Sequence, residues 1–295
     1  VDKRVVKKRH EKTAAYIFIF PAVVLLFLFL ILPAFSTIRY AFTDYNIMRP
    51  DSIAFNGLNN FKELFGDTNF KKALANTFYF ALIVVPFQCI LALALALFIS
   101  SRRRGVSIFR AAYFSPMVTS MVVVAILWTV LYNPNPNTGL LNAFLGKLGL
   151  GPYGFLTDPK MAMNSIIFMS AWQAAGYQMM IFLAGLQAIP GEQYEAASID
   201  GANGIKSFLY VTLPGLKNVI KYVVMITMIQ AMKLFTQPYV MTKGGPQNST
   251  RTLVYYIYEQ GFQSRNFGYA CAVATIFFII VVTMSLILKR VIKAD

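Results

Sequence analysis

Long apolar stretches alternate along the chain with shorter segments rich in charge, Gly, Pro and Asn. An α-helix needs about 20 apolar residues to cross about 30 Å of hydrocarbon. Six segments read that way: 13–40, 73–100, 111–132, 161–189, 215–241 and 267–288. Backbone groups in lipid must bond within their own segment, so each is predicted to be a helix. The pattern predicts an all-α integral membrane protein with about six transmembrane helices in 13–295, preceded by a basic tail at 1–12. The first span is longer than the apolar core of a cleaved secretory signal, so it is read as retained.

Composition agrees. Of 295 residues, 57% are hydrophobic and 13% charged, against about 25% charged in a soluble domain. These values exclude both an ordinary soluble fold and a disordered chain. The net charge of +15 would suggest nucleic acid on a soluble protein. Here it reads as Lys and Arg retained on the cytoplasmic side of a membrane. With both termini inside, the tail, 101–110, 190–221 and the C-terminal end hold 16 of the 27 basic residues. The run Arg102–Arg104 is then an orientation anchor, and no nucleic-acid partner is expected. The loops 42–72, 133–160 and 242–268 face outside and have the composition of turns.

Catalytic chemistry is sparse. The one histidine, His10, sits in the tail, which removes most His-dependent catalysis and metal binding. Cys89 and Cys271 lie in apolar runs and read as buried free thiols. Lys147 follows Gly146, but leucine comes next, so there is no phosphate-binding loop. No serine-hydrolase or zinc-protease motif is present, which argues against an intramembrane enzyme. No acidic residue falls inside a span, which counts against an ion-coupled secondary transporter.

Polar residues inside spans are expensive and tend to face cavities or partners. The fourth span carries Ser170, Gln173 and Tyr177 on one helical face; the fifth carries Thr227 and Gln230. Both stripes also suit bonding between helices. Lys233 lies about 18 Å of helix beyond Lys221. It reads as a snorkelling side chain, as the pair of a partner's carboxylate, or as a contact for an acidic or phosphorylated substrate.

The segment 190–214 differs from the other connections. Pro190 ends a span, Glu192–Asp200 fits a short helix, Gly201 turns the chain, and Pro214 opens the next span. The result is a knob that something else can grip. Glu195-Ala196-Ala197, Gly201, Val211 and Leu213-Pro214 resemble the EAA loop of ABC importer permeases, with Val211 in place of isoleucine. Met241 through Gly244-Gly245-Pro246, with Thr250 and Phe267-Gly268-Tyr269-Ala270, is similar to the carbohydrate-uptake branch and its maltose-type first membrane subunit. Gly57-Leu58-Asn59-Asn60-Phe61 also resembles sugar permeases.

The resemblance implies a type I ABC importer permease in a bacterial or archaeal inner membrane. It implies a non-catalytic subunit that binds no cofactor, with ATP and Mg on a separate ATPase. The implied partners are a second permease subunit, two ATP-binding cassette subunits, an extracytoplasmic solute-binding protein and a sugar. Glu195, Ala196, Ala197, Asp200, Gly201, Leu213 and Pro214 would couple to the ATPase. Gly244, Gly245 and Pro246 would face the binding protein. The sugar contacts of the maltose-type subunit fall on Ser170, Gln173, Ala174, Tyr177, Thr227, Gln230, Ala231 and Leu234. Asparagines of that site are replaced by Ser170, Ala231 and Leu234, which implies a different sugar or pose. Glycerol-3-phosphate or another polar solute is the alternative cargo.

Overall fold

The computed structural model describes residues 16–49, 51, 53–100 and 105–293. The tail with His10 and the Arg102–Arg104 run lie outside the described residues. The chain forms two compact units, 1–66 with 257–277, and 67–256 with 278–295.

In the first unit, helix α1 (Tyr16–Tyr40) includes a π-helical turn at Phe27–Ile31. None of its most apolar window is buried within the chain. An apolar surface all round suits lipid or another subunit. Helix α2 (Asn59–Gly66) follows an irregular loop. The buried Asn60 donates to the carbonyls of Ala41 (2.9 Å) and Thr43 (2.8 Å). The Gly57–Phe61 segment therefore has a local structural role, because the Asn60 amide closes the loop that leaves α1.

The second unit is built on α3 (Thr68–Ser100) and α7 (Ala162–Gln187), which make the most extensive helix–helix contact. Both helices bury small residues, Ala73, Ala81, Ala92 and Ala96 on α3 and Ala171 and Ala175 on α7, the kind that lets helix backbones approach closely. Helices α4 (Val106–Val118), α5 (Met121–Leu131) and α6 (Leu140–Lys147) lie between them in the chain. After α7 come α8 (Gly191–Ile199), α9 (Gly204–Gly215), α10 (Lys217–Met232), α11 (Thr236–Met241) and α12 (Leu253–Tyr258). Helix α13 (Phe267–Lys293) ends the described chain.

Among the described residues, four helices are long and apolar enough to span a membrane: α1, α3, α7 and the Phe267–Arg290 part of α13. The count reaches six if each bent pair is one span. Two segments expected to be continuous are broken. The predicted 111–132 span is α4 and α5, bent by 97° across Thr119 and Ser120, both extended. The predicted 215–241 span is α10 and α11, interrupted at Lys233–Phe235, and α9 meets α10 at 66°. Hydropathy sees only apolar length. A broken backbone survives at membrane depth where it is covered by protein or lines a cavity.

Candidate functional site

Both breaks open onto one cavity of about 400 Å³, within the range of small-ligand sites. Helix α3 contributes Phe80, Val84 and Gln88, one helical turn apart on a single face. Helix α7 contributes Ser170, Gln173 and Ala174, and α10 contributes Thr227, Gln230 and Ala231. Met117, Thr119 and Met121 come from the first break, and 233–237 from the second.

The polar groups of the wall are partly committed. Gln173 Nε2 donates to the Pro116 carbonyl (3.2 Å), and Gln237 Nε2 to Ser170 Oγ (3.3 Å). Thr227 donates to the Val223 carbonyl (2.6 Å) and accepts from Gln178 Nε2 (2.5 Å). Thr252 donates to the Leu234 carbonyl (2.7 Å), satisfying an acceptor released by the second break.

Among the described residues, Lys233 is the one charged residue of this wall, and its side chain is exposed. It caps the C-terminus of α10, where a cation complements the negative end of the helix dipole. A continuous 215–241 helix would hold Lys233 deep within the span; the break instead gives it a helix end.

Of the expected pathway residues, Ser170, Gln173, Thr227, Gln230 and Lys233 share this cavity, and Tyr177 is not in its wall. Near that level α4 already presses against α7. A Cβ on Gly176 would stand 2.0 Å from the Tyr113 carbonyl oxygen. Sequence reasoning missed Gln88, Gln237, Thr119 and Thr236. Gln88 had a usable signal, a polar side chain inside a charge-free span. The other three needed the breaks to be known.

The 190–214 segment is a different kind of site. Pro190 precedes α8, and Gly201 turns the chain with φ +73°. Asn203 caps α9 by accepting from the Lys206 N–H (2.9 Å). The hydroxyls of Tyr194 and Thr212 meet at 3.0 Å and tie the two arms. Glu195, Ala196, Asp200, Gly201, Leu213 and Pro214 are exposed, and Ala197 is half-buried. Ile199 and Tyr210 are 86% and 77% exposed, large apolar side chains that nothing among the described residues covers.

The Gly244-Gly245-Pro246 loop is held by hydrogen bonds. Thr250 donates to the Gly245 carbonyl (2.7 Å), and its hydroxyl meets that of Thr242 at 2.7 Å. Asn76 on α3 donates to the carbonyls of Asn248 (2.8 Å) and Arg251 (2.9 Å). The loop therefore travels with the first turns of α3. Among the described residues, no group of three His, Cys, Asp or Glu side chains is arranged to hold a metal ion. Cys89 and Cys271 are buried free thiols.

Three kinds of comparison bear on this arrangement. The family described as binding-protein-dependent transport system inner membrane component matches residues 69–294. The probable ABC transporter permease protein YurN of Bacillus subtilis is 37% identical, covering 96% of this chain and 97% of its own. The arabinooligosaccharides transport system permease protein AraP of the same organism is 35% identical, over 94% of this chain and 88% of its own. Among solved structures, a bacterial ABC transporter involved in the import of the acidic polysaccharide alginate has a chain with a TM-score of 0.85. It is 22% identical over 99% of each chain, a likeness of fold.

Proposed function

The chain belongs to the family of binding-protein-dependent transport system inner membrane components, as an ABC importer permease of the carbohydrate-uptake type, and from that premise we propose that it forms half of a sugar-translocation pathway. The observation that carries this reading is the cavity at the two helix breaks. Its wall is rich in amides and hydroxyls and, among the described residues, holds no carboxylate, which suits a neutral polyol. The relatives whose names specify arabinooligosaccharides and lactose support a sugar cargo.

A second permease subunit completes the pathway in this reading. Two ATP-binding cassette subunits bind ATP and Mg, and an extracytoplasmic binding protein delivers the solute at the Gly244–Pro246 side. Both termini face the cytoplasm. The exposed knob at 190–214 sits against a cassette subunit, where Glu195 meets a basic side chain and Ala196 and Ala197 permit close approach. Closure of the cassettes then moves the helices, because only contacts that differ between two states can shift their balance. The chain itself performs no covalent chemistry.

Copurification from the native membrane tests this. The expected complex holds two ATPase copies per copy of this chain and of a second permease, and it drives ATP-dependent uptake of arabinotriose or lactose in proteoliposomes. Recovery of the chain alone, or as a homodimer without an ATPase, overturns the reading.

Lys233 favours a second cargo, an anionic solute such as glycerol-3-phosphate, because it is the one charge on the wall among the described residues. Replacing Lys233 with Met separates the two. Unchanged uptake removes the anionic reading, and loss of uptake with the complex intact supports it.

A further inference from the structure

We propose that Gln88 is a sugar-recognition residue on α3, a helix to which the family resemblance assigns no substrate contact. This rests on the sugar-importer reading and deepens it.

Three glutamines of the cavity wall are nearly buried: Gln88 and Gln173 at 4% exposure and Gln237 at 9%. A primary amide offers two N–H donors and one carbonyl acceptor. Gln173 and Gln237 each direct their amide nitrogen at a protein acceptor, Pro116 and Ser170. Thr227 has given its single donor to Val223. Among the described residues, the Gln88 side chain makes no hydrogen bond. Its amide is not sealed off either. The carbonyl oxygen of Gln178, in the same helix core, is closed in without a partner, whereas neither polar atom of Gln88 is. Gln88 thus faces the cavity with its full set of donors and its acceptor uncommitted.

A buried amide left unpaired is costly, so water or a solute in the cavity meets it, and a solute that replaces the water has to match both its donors and its acceptor. A carboxylate or phosphate would use only its donors, and a cation only its acceptor. A pair of sugar hydroxyls, each both donor and acceptor, uses both. Phe80 and Val84 share its helix face and line the same cavity, so the amide stands at the end of an apolar strip. That combination fits a ring with hydroxyls at its edge and C–H bonds on its face.

The test uses the complete importer in proteoliposomes, with arabinotriose and lactose as probes. Gln88→Leu keeps the bulk and removes the amide. The expected result is about a tenfold fall in sugar carried per ATP hydrolysed, the effect of one or two uncharged hydrogen bonds. ATP hydrolysis stimulated by the loaded binding protein should remain within about twofold, and Gln88→Asn should recover part of the uptake. A purely structural role would lower uptake and hydrolysis together, which overturns the proposal, as does unchanged uptake by Gln88→Leu.

Labelling provides a measurement that does not depend on turnover. With Cys89 and Cys271 replaced by Ala, Gln88→Cys should react with a charged methanethiosulfonate, and the transported sugar should slow that reaction. A thiol that the reagent cannot reach, or that sugar does not protect, overturns the proposal. A wild-type complex that hydrolyses ATP but carries neither probe overturns the choice of sugar. Gln88 is then judged by whether its labelling is blocked by the solute the complex does carry.

Discussion

Two glycines, 25 positions apart in the chain, contrast the two ends of this permease. Gly176 sits where α4 crosses α7, and a Cβ there would meet the Tyr113 backbone at 2.0 Å. Gly201 sits at the turn of the exposed knob, and a Cβ there would meet nothing within 4 Å. The first is fixed by packing inside the chain. The second is fixed in this chain only by its φ of +73°; any further demand on it has to come from a partner. The cavity end is assembled from residues distant in sequence, whereas the knob is written locally and, in the proposed assembly, is completed by another subunit.

The largest expected effect tests the cavity end. Gly176→Val drives side-chain atoms into a backbone carbonyl, which a flexible neighbour cannot relieve. A loss of about 3 kcal/mol or more is expected, at the upper end of overpacking costs. The measurement is the yield of monodisperse protein after membrane extraction. Normal yield and melting temperature would show that α4 does not lie against α7 as described.

The next effect tests the knob. Gly201→Asp should leave the chain folded, because the space is open and Asp tolerates the left-handed region. Uptake should fall at least about tenfold while ATP hydrolysis continues, since the change sits at the surface read as transmitting the stroke. Uptake and hydrolysis are measured on the same proteoliposomes. Wild-type uptake at normal expression would remove the coupling role from this turn.

A smaller effect returns to the buried side. Thr227→Val removes the acceptor of Gln178 Nε2, in a residue that is 1% exposed and already has an unmatched carbonyl oxygen. An amide left with neither end paired costs about 1–3 kcal/mol. A melting temperature lowered by several degrees in detergent is expected. No shift would mean that the bond contributes nothing to stability.

The same contrast explains what is legible in the sequence. The apolar runs give α3 and α7 nearly to their ends, because span length is a property of the segment itself. The knob is legible too: Pro190, Gly201 and Pro214 punctuate it, and local chemistry sets its turn. The breaks at Thr119–Ser120 and Lys233–Phe235 are not legible. Neither holds a Gly or Pro, and both depend on partners far along the chain, such as Thr252 reaching the Leu234 carbonyl. The cavity inherits that limit. Ser170, Gln173, Thr227 and Gln230 are found by helical spacing, but Gln237 reaches the wall only because the helix is interrupted before it. Gln88 is within reach of the same reasoning, but no other amide or hydroxyl side chain lies within eight residues of it, so it forms no stripe.

The finest distinction is between bulk and charge at Gly201. Asn and Asp are nearly equal in size and both enter the left-handed region with modest strain, so Gly201→Asn should cost about 1 kcal/mol or less and fold normally. In this chain the two variants meet the same open space. They differ only in that the carboxylate joins Glu195 and Asp200 on an already acidic turn. If Asn retains uptake while Asp loses it, charge decides, through repulsion of the added carboxylate by Glu195 and Asp200 on the same knob. If both lose uptake, the open space beside Gly201 is filled by the partner in the assembled transporter, and the glycine is a packing residue like Gly176, with its neighbour on another subunit. Retained uptake by both would leave Gly201 with no role beyond its backbone angle, and the contrast between the two glycines would be one of packing alone.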